Sequence, residues 1–206
     1  MKRLSALFLL LFIAVLLCGC TVLTSESHRY LIASMGFDKK GDKFIATVEA
    51  VAINSEDDAG KRRILLKGEG ETPKEAMKDA EKKATQPFNL SHCGVIVLGE
   101  SLKYADFEKI CNYCYDTDEI TFSVYMLAAK NAGKLLKTNP VSSVAVGYDL
   151  MSIINKETEQ SDKKFRNSLY EVVAENNRKD GSVELPFFTL SGNYRVLDGL
   201  AVYENF

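Results

Sequence analysis

Cys93-Gly94-Val95-Ile96-Val97-Leu98 is a continuous apolar run, too short for an ordinary helix. A strand with one wet face alternates apolar and polar residues. An unbroken run suits a strand covered on both faces, which is the habit of parallel sheets between helices. The neighbouring segments agree. Before it, Thr72-Pro73-Lys74-Glu75 opens a helix: the Thr72 hydroxyl can accept from the Glu75 amide, Glu75 can reach back, and Pro73 falls at the first helical position. That helix is expected to run to about residue 85, with Ala76, Met77, Ala80 and Ala84 inward, and to end before Pro87. After the apolar run, Tyr104, Phe107, Ile110, Cys111 and Cys114 recur at helical spacing, predicting a helix over 104–115. A strand over 120–129 and a short helix over 131–137 follow. Strand, helix, strand, helix, strand in this order predicts a layered α/β arrangement.

The flanks are different. Residues 30–35 and 43–53 read as two strands of a β-hairpin around the turn-rich Gly36-Phe37-Asp38-Lys39-Lys40-Gly41-Asp42. In the second strand Phe44, Ala46, Val48 and Ala50 share one face, with Ile45, Thr47 and Glu49 on the other. A third strand is expected over 63–71. Beyond Pro140, residues 142–156 and 165–177 read as a helical pair. Residues 183–190 and 194–203 form a last strand pair around Ser191-Gly192-Asn193. The expected class is therefore mixed α+β: a hairpin, a strand-helix-strand-helix-strand layer, a helical pair and a final strand pair.

The chain has 206 residues, 46% apolar and 26% charged, with a formal charge of −2. These fractions exclude a disordered tail, a collagen-like rod and a polytopic membrane protein. A charge near zero argues against nucleic acid as a partner.

The N-terminus reads as an address and an anchor. Lys2 and Arg3 precede an apolar run over 4–18. As a helix that run would span about 22 Å at ~1.5 Å per residue, short of a bilayer core. This is signal-peptide architecture. Leu17-Cys18-Gly19-Cys20 has the form of a lipobox, with an apolar residue three before the cut, a small one just before it and a Cys just after. The expectation is a signal peptide over 1–19, diacylglycerol thioether and N-acyl lipid (palmitate or similar) on Cys20, a tether over 20–27 and a fold from residue 28. Two or more acyl chains hold a protein stably on a membrane where one is marginal. The alternative is a plain signal anchor with Cys20 incidental.

Cys93, Cys111 and Cys114 then remain, too few and too odd for a disulfide framework. Cys111-Asn112-Tyr113-Cys114 is a C-x-x-C, but its helical register places both sulfurs mid-helix on the apolar stripe. Redox use favours a helix N-terminus. Buried core thiols, a disulfide (local or to Cys93) and a redox or metal role stay open, in that order. No G-x-S-x-G, H-E-x-x-H or phosphate-binding loop is present, so neither an enzyme nor a cofactor is expected. Glu56-Asp57-Asp58 and Asp116-Asp118-Glu119 lack the spacing and closing Glu of a calcium loop and read as solvated. Lys61-Arg62-Arg63 could meet anionic headgroups or keep a loop soluble. Of the two histidines, His28 falls at the tether. His92, entering the apolar strand, reads as a hydrogen-bonded structural residue, with a titrating switch as the sharper alternative.

An ordered series of motifs resembles the N-terminal region of the Ger(x)C lipoproteins, the C subunits of spore germinant receptors. It begins behind the lipobox with Ala33-Ser34-Met35-Gly36-Phe37-Asp38 and Gly41-Asp42-Lys43-Phe44. Gly68-Glu69-Gly70-Glu71-Thr72 then leads into a helix with Glu75-Ala76. Leu90-Ser91-His92 and Val95-Ile96-Val97-Leu98-Gly99-Glu100 follow. Pro186-Phe187-Phe188-Thr189-Leu190 and Leu197-Asp198-Gly199-Leu200-Ala201-Val202-Tyr203 close the series. The matched Gly36, Asp38, Gly68, Gly70, Glu75 and His92 read as architectural, with Gly36 and Gly41 bracketing a turn. Thr21-Val22 stand where the family usually carries Trp-Asp. The resemblance implies an N-terminal domain over 28–206 without the family's second, C-terminal domain. It implies a non-catalytic subunit on the outer face of the spore inner membrane, with integral-membrane receptor subunits and the bilayer as partners. The alternatives are a thiol-redox lipoprotein using Cys111 and Cys114, and a truncated family member that does not signal.

Overall fold

A computed structural model describes residues 29–53, 61–160, 165, 167–178 and 181–204. The signal peptide, Cys20, the tether, His28 and Glu56-Asp57-Asp58 lie outside the described residues. No helix among the described residues is long and apolar enough to cross a membrane.

The fold is mixed α+β, built on one eight-stranded sheet. In chain order the elements are β1 (Tyr30–Lys40), β2 (Lys43–Ile53), β3 (Lys61–Gly70), α1 (Pro73–Glu81), β4 (Phe88–Asn89), a 3₁₀ turn (Leu90–His92), β5 (Val95–Gly99), α2 (Tyr104–Tyr115), β6 (Tyr125–Ala129), α3 (Ala132–Leu136), α4 (Val146–Gln160), α5 (Leu169–Arg178), β7 (Ser182–Ser191) and β8 (Tyr194–Glu204). The strand order is β3-β2-β1-β5-β6-β7-β8, and the short β4 pairs with the start of β1. β1, β5, β6 and β7 run parallel. β2 and β3 add antiparallel on one side and β8 on the other.

All five residues of β5 are buried, as the continuous apolar run requires. Ile96 and Leu98 point to one face, with Met35, Phe37, Met126 and the helices α1, α2 and α5. Val95 and Val97 point to the other, with Leu127 and the helices α3 and α4. Each such side chain contributes roughly 1.5–3 kcal/mol on full burial. The helical pair expected after Pro140 is thus split across the sheet. Leu150 and Ile154 of α4 join one core, and Leu169 and Val172 of α5 join the other.

Several expected boundaries move, each for a local reason. The segment 36–42 is not all turn: β1 continues to Lys40, and only Gly41-Asp42 turns, with Gly41 at φ +59°. Gly36 is extended strand, kept bare by α3, since a Cβ there would lie 3.1 Å from the Ala132 Cβ. β6 starts at Tyr125, not at 120, because Ile120 and Val124 are tied into turns through the carbonyls of Thr117 and Thr121. α4 starts at Val146 rather than 142, and α5 at Leu169 rather than 165, where Ser168 and Glu171 cap each other. α1 stops at Glu81, short of 85.

α1 packs on the first sheet face at the end of β3. Thr72 Oγ1 accepts from the Glu75 amide at 3.2 Å, and Glu75 Oε2 accepts from the amides of Thr72 and Glu71. The helix lies so close to β3 that a Cβ on Gly68 would strike the Ala76 carbonyl and the Ala80 amide, and one on Gly70 the Ala76 amide. These are backbone atoms that no rotamer can move aside. Gly68→Ala is therefore expected to cost about 1–3 kcal/mol by overpacking. Gly41→Asn, in open space at a left-handed position that Asn tolerates, should change little. Urea unfolding of both variants checks the contrast.

Candidate functional site

The C-x-x-C was the sharpest chemical candidate in the sequence. Cys111 and Cys114 sit in the second half of α2, facing the core, and Cys93 is buried in the same cluster. All three are free thiols. Burial pushes the Cys93 and Cys111 thiols up to about 12 and raises Cys114 well above its ordinary value. A redox or metal-binding Cys needs the opposite shift, toward thiolate. Among the described residues no group of His, Cys, Asp and Glu converges to hold a metal ion.

The charged groups that do converge are carboxylates beneath the sheet. Glu49 on β2 has no solvent exposure. Its Oε1 accepts from the Val146 amide at 2.7 Å and from Arg63 Nε. Its Oε2 accepts from the Gly147 amide at 2.9 Å and from Ser34 Oγ at 2.7 Å. The carboxylate therefore caps the positive end of α4. Asp38 on β1 does the same for α3, accepting from the Ala132 amide at 3.0 Å and the Gly133 amide at 2.8 Å. Burial pushes the Asp38 carboxyl above its ordinary range, against the pull of those two amides. Gly99 is bare because a Cβ there would strike Asp38 Oδ1.

Asp149 on α4 is the third. It accepts from the amides of Val141 and Ser142 and from the Ser142 hydroxyl, and pairs at 2.7 Å with the buried Arg195 of β8. Burial works upward here too. The Val141 and Ser142 amides and the Ser142 and Ser143 hydroxyls outweigh it and hold Asp149 below the usual carboxylate range. Asp38 stood out in the sequence, whereas Glu49 and Asp149 did not. A Glu inside an alternating apolar strand, as Glu49 is between Val48 and Ala50, was the available signal.

The remaining motif residues are placed apart. Gly36 and Asp38 lie under α3, whereas Gly68, Gly70 and Glu75 lie at the β3–α1 junction on the opposite face. His92 does not enter the strand. It is exposed on the 3₁₀ turn, which Asn89 caps by accepting from the Ser91 amide, and its side chain makes no hydrogen bond among the described residues. Arg62 is exposed, and Arg63 is turned inward to Glu49 and the Leu136 carbonyl rather than to solvent. Glu119 is not simply solvated, since it receives Arg29 and the Leu90 amide.

What the fold leaves outward is apolar in two places. Strand β8 ends the sheet and exposes Tyr194, Val196, Leu200 and Val202 along an edge that pairs with no further strand among the described residues. At another corner, Tyr115, Phe122 and Tyr170 surround a hollow of about 380 Å³ floored by Leu169 and Val173. The Tyr115 and Phe122 rings lie 5.3 Å apart.

These features define a sheet domain whose buried charges hold helices in place and which, among the described residues, leaves apolar side chains exposed on β8 and at the aromatic corner. Residues 27–190 match the spore germination protein N-terminal domain. The chain belongs to that family, the N-terminal domain of the Ger(x)C proteins. Searches among curated proteins and among solved structures give no match.

Two outcomes are expected of these buried groups. In the folded chain at pH 8, Cys93, Cys111 and Cys114 should resist a thiol reagent until denaturant is added; a fast-reacting thiol in the native state would contradict their burial. Asp149 has a folded-state pKa below its unfolded value, so its stabilisation is present above the unfolded pKa and lost as pH falls through the folded one. Asp149→Asn should cost roughly 3–5 kcal/mol at pH 7, as breaking a buried pair does. The cost should shrink below about pH 4, where the unfolded Asp is itself protonated. Denaturant unfolding at pH 7 and pH 3 reads both.

Proposed function

We propose that the protein is a lipid-anchored, non-catalytic subunit of a spore germinant receptor. Cys20 carries the acyl chains and holds it to the outer face of the spore inner membrane. It works by contact with the integral-membrane subunits of the receptor. The family match over residues 27–190, beginning seven residues after the Cys20 of the Leu17-Cys18-Gly19-Cys20 motif, carries this reading.

The physics of anchoring suits weak contacts. A protein confined to the membrane meets membrane partners at a high effective concentration, so modest interfaces hold. The open edge of β8, with its exposed Val196, Leu200 and Val202, is the surface that supports such contact. The three buried thiols speak against the competing redox role, because burial disfavours the thiolate.

Cys20→Ala should move the protein from the membrane fraction to the soluble fraction of spore extracts; unchanged retention would refute the lipid anchor. Affinity capture of the wild-type chain from spore membranes should recover integral-membrane receptor subunits, and recovery of none would remove the receptor reading.

A further inference from the structure

The hollow framed by Tyr115, Phe122 and Tyr170 is the largest concentration of exposed aromatic surface among the described residues. The three side chains are 62%, 49% and 69% exposed. They come from separate elements: the end of α2, the loop before β6 and the start of α5. The backbone aligns them deliberately, since the Tyr170 amide donates to the Phe122 carbonyl at 3.1 Å and the Leu169 amide to the Val124 carbonyl at 2.9 Å.

Their position in the fold is the informative point. β1, β5, β6 and β7 are parallel, so the segments leading into them lie at one end of the sheet. Arg29 leads into β1, and the loop carrying Phe122 leads into β6. The two are joined directly: Arg29 Nη2 donates to Glu119 Oε1 at 2.7 Å. Phe122 is three residues from Glu119, so their Cα atoms are at most about 11 Å apart at ~3.8 Å per step. Cys20 is nine residues before Arg29, a reach of at most about 32 Å. The aromatic corner is thus at the end of the domain where the anchored chain arrives. The Gly41-Asp42 turn is at the opposite end, about 36 Å away along the eleven residues of β1.

We propose that Tyr115, Phe122 and Tyr170 form a second membrane contact, inserting into the interfacial layer of the bilayer and fixing the orientation in which the domain presents its other faces. Tyrosine suits this layer, with an apolar ring below and a hydroxyl in the headgroup region. Lipidation at Cys20 keeps the patch at high effective concentration beside the bilayer, so a small apolar area suffices. Asp116 and Asp118 share the loop with Phe122 and repel anionic headgroups. The contact therefore rests on apolar insertion, and zwitterionic lipid is enough to support it.

The inference rests on lipidation of Cys20, and the test separates the two. The natural chain has no Trp. Phe122→Trp and, independently, Tyr170→Trp each give a single probe at the patch. Asp42→Trp gives one at the far end. The full lipidated chain is reconstituted into phosphatidylcholine vesicles with and without brominated acyl chains, after circular dichroism has confirmed the wild-type fold. The expected result is a blue-shifted emission that loses intensity to the bromines at positions 122 and 170, and an unquenched, water-like emission at 42. A chain that does not float with the vesicles overturns the lipid anchor, and this inference with it. A chain that floats while all three probes stay water-like overturns the second contact alone. A blue shift without bromine quenching, the result expected when another protein covers the patch, also overturns it.

Discussion

A carboxylate with no access to water lies in the middle of β2, and five elements of the fold are referred to it. Glu49 accepts from Ser34 on β1, from Arg63 on β3 and from the first two amides of α4, and the same Arg63 guanidinium reaches the Leu136 carbonyl at the end of α3. A buried charge is tolerable only when its lone pairs are met by good donors. Here four donors meet it, two of them at a helix N-terminus where the dipole favours a negative charge. The second helical layer is therefore docked by electrostatics as well as by apolar contact. Asp38 and Asp149 repeat the device at α3 and at the Val141-Ser142 loop.

The two faces of the sheet are consequently built by different means. The face bearing α1, α2 and α5 is a continuous apolar core in which even the C-x-x-C acts as packing, with Cys111 and Cys114 beside Phe107 and Ile110. The face bearing α3 and α4 has an apolar centre, under Val95, Val97 and Leu127, and a rim of capped carboxylates. The first face is held by area, and the second by area together with fixed hydrogen-bond geometry. Fixed geometry keeps the β8 edge and the aromatic corner in a constant relation to the start of β1.

Much of this was legible in the sequence, for physical reasons that can be named. The β5 strand was, because burial on both faces leaves a run without a polar interruption. So was the start of α1, because capping is local: Thr72, Pro73 and Glu75 suffice to write it. Less was legible where partners are distant. Asp38 looked like a turn residue, and its true partners are Ala132 and Gly133, more than ninety residues on. The start of α4 was misjudged because its cap comes from Glu49 on a strand, not from a Ser or Asp beside it. The helical pair looked like one unit, because sequence neighbours resemble structural neighbours until a sheet is placed between them.

The sequence by itself determined the layered α+β class, the helix and strand periods, the family and the expectation of an anchor at Cys20. All of these rest on local chemistry: alternation, capping and a short contiguous motif. Only the tertiary structure decided that one sheet unites the first hairpin with the last strand pair, that Cys111 and Cys114 are buried free thiols in the core, and that Tyr115, Phe122 and Tyr170 meet at the end where the chain enters. Those outcomes depend on contacts between segments far apart in the chain, set by the parallel order of β1, β5, β6 and β7 and by carboxylates whose donors the local sequence does not contain.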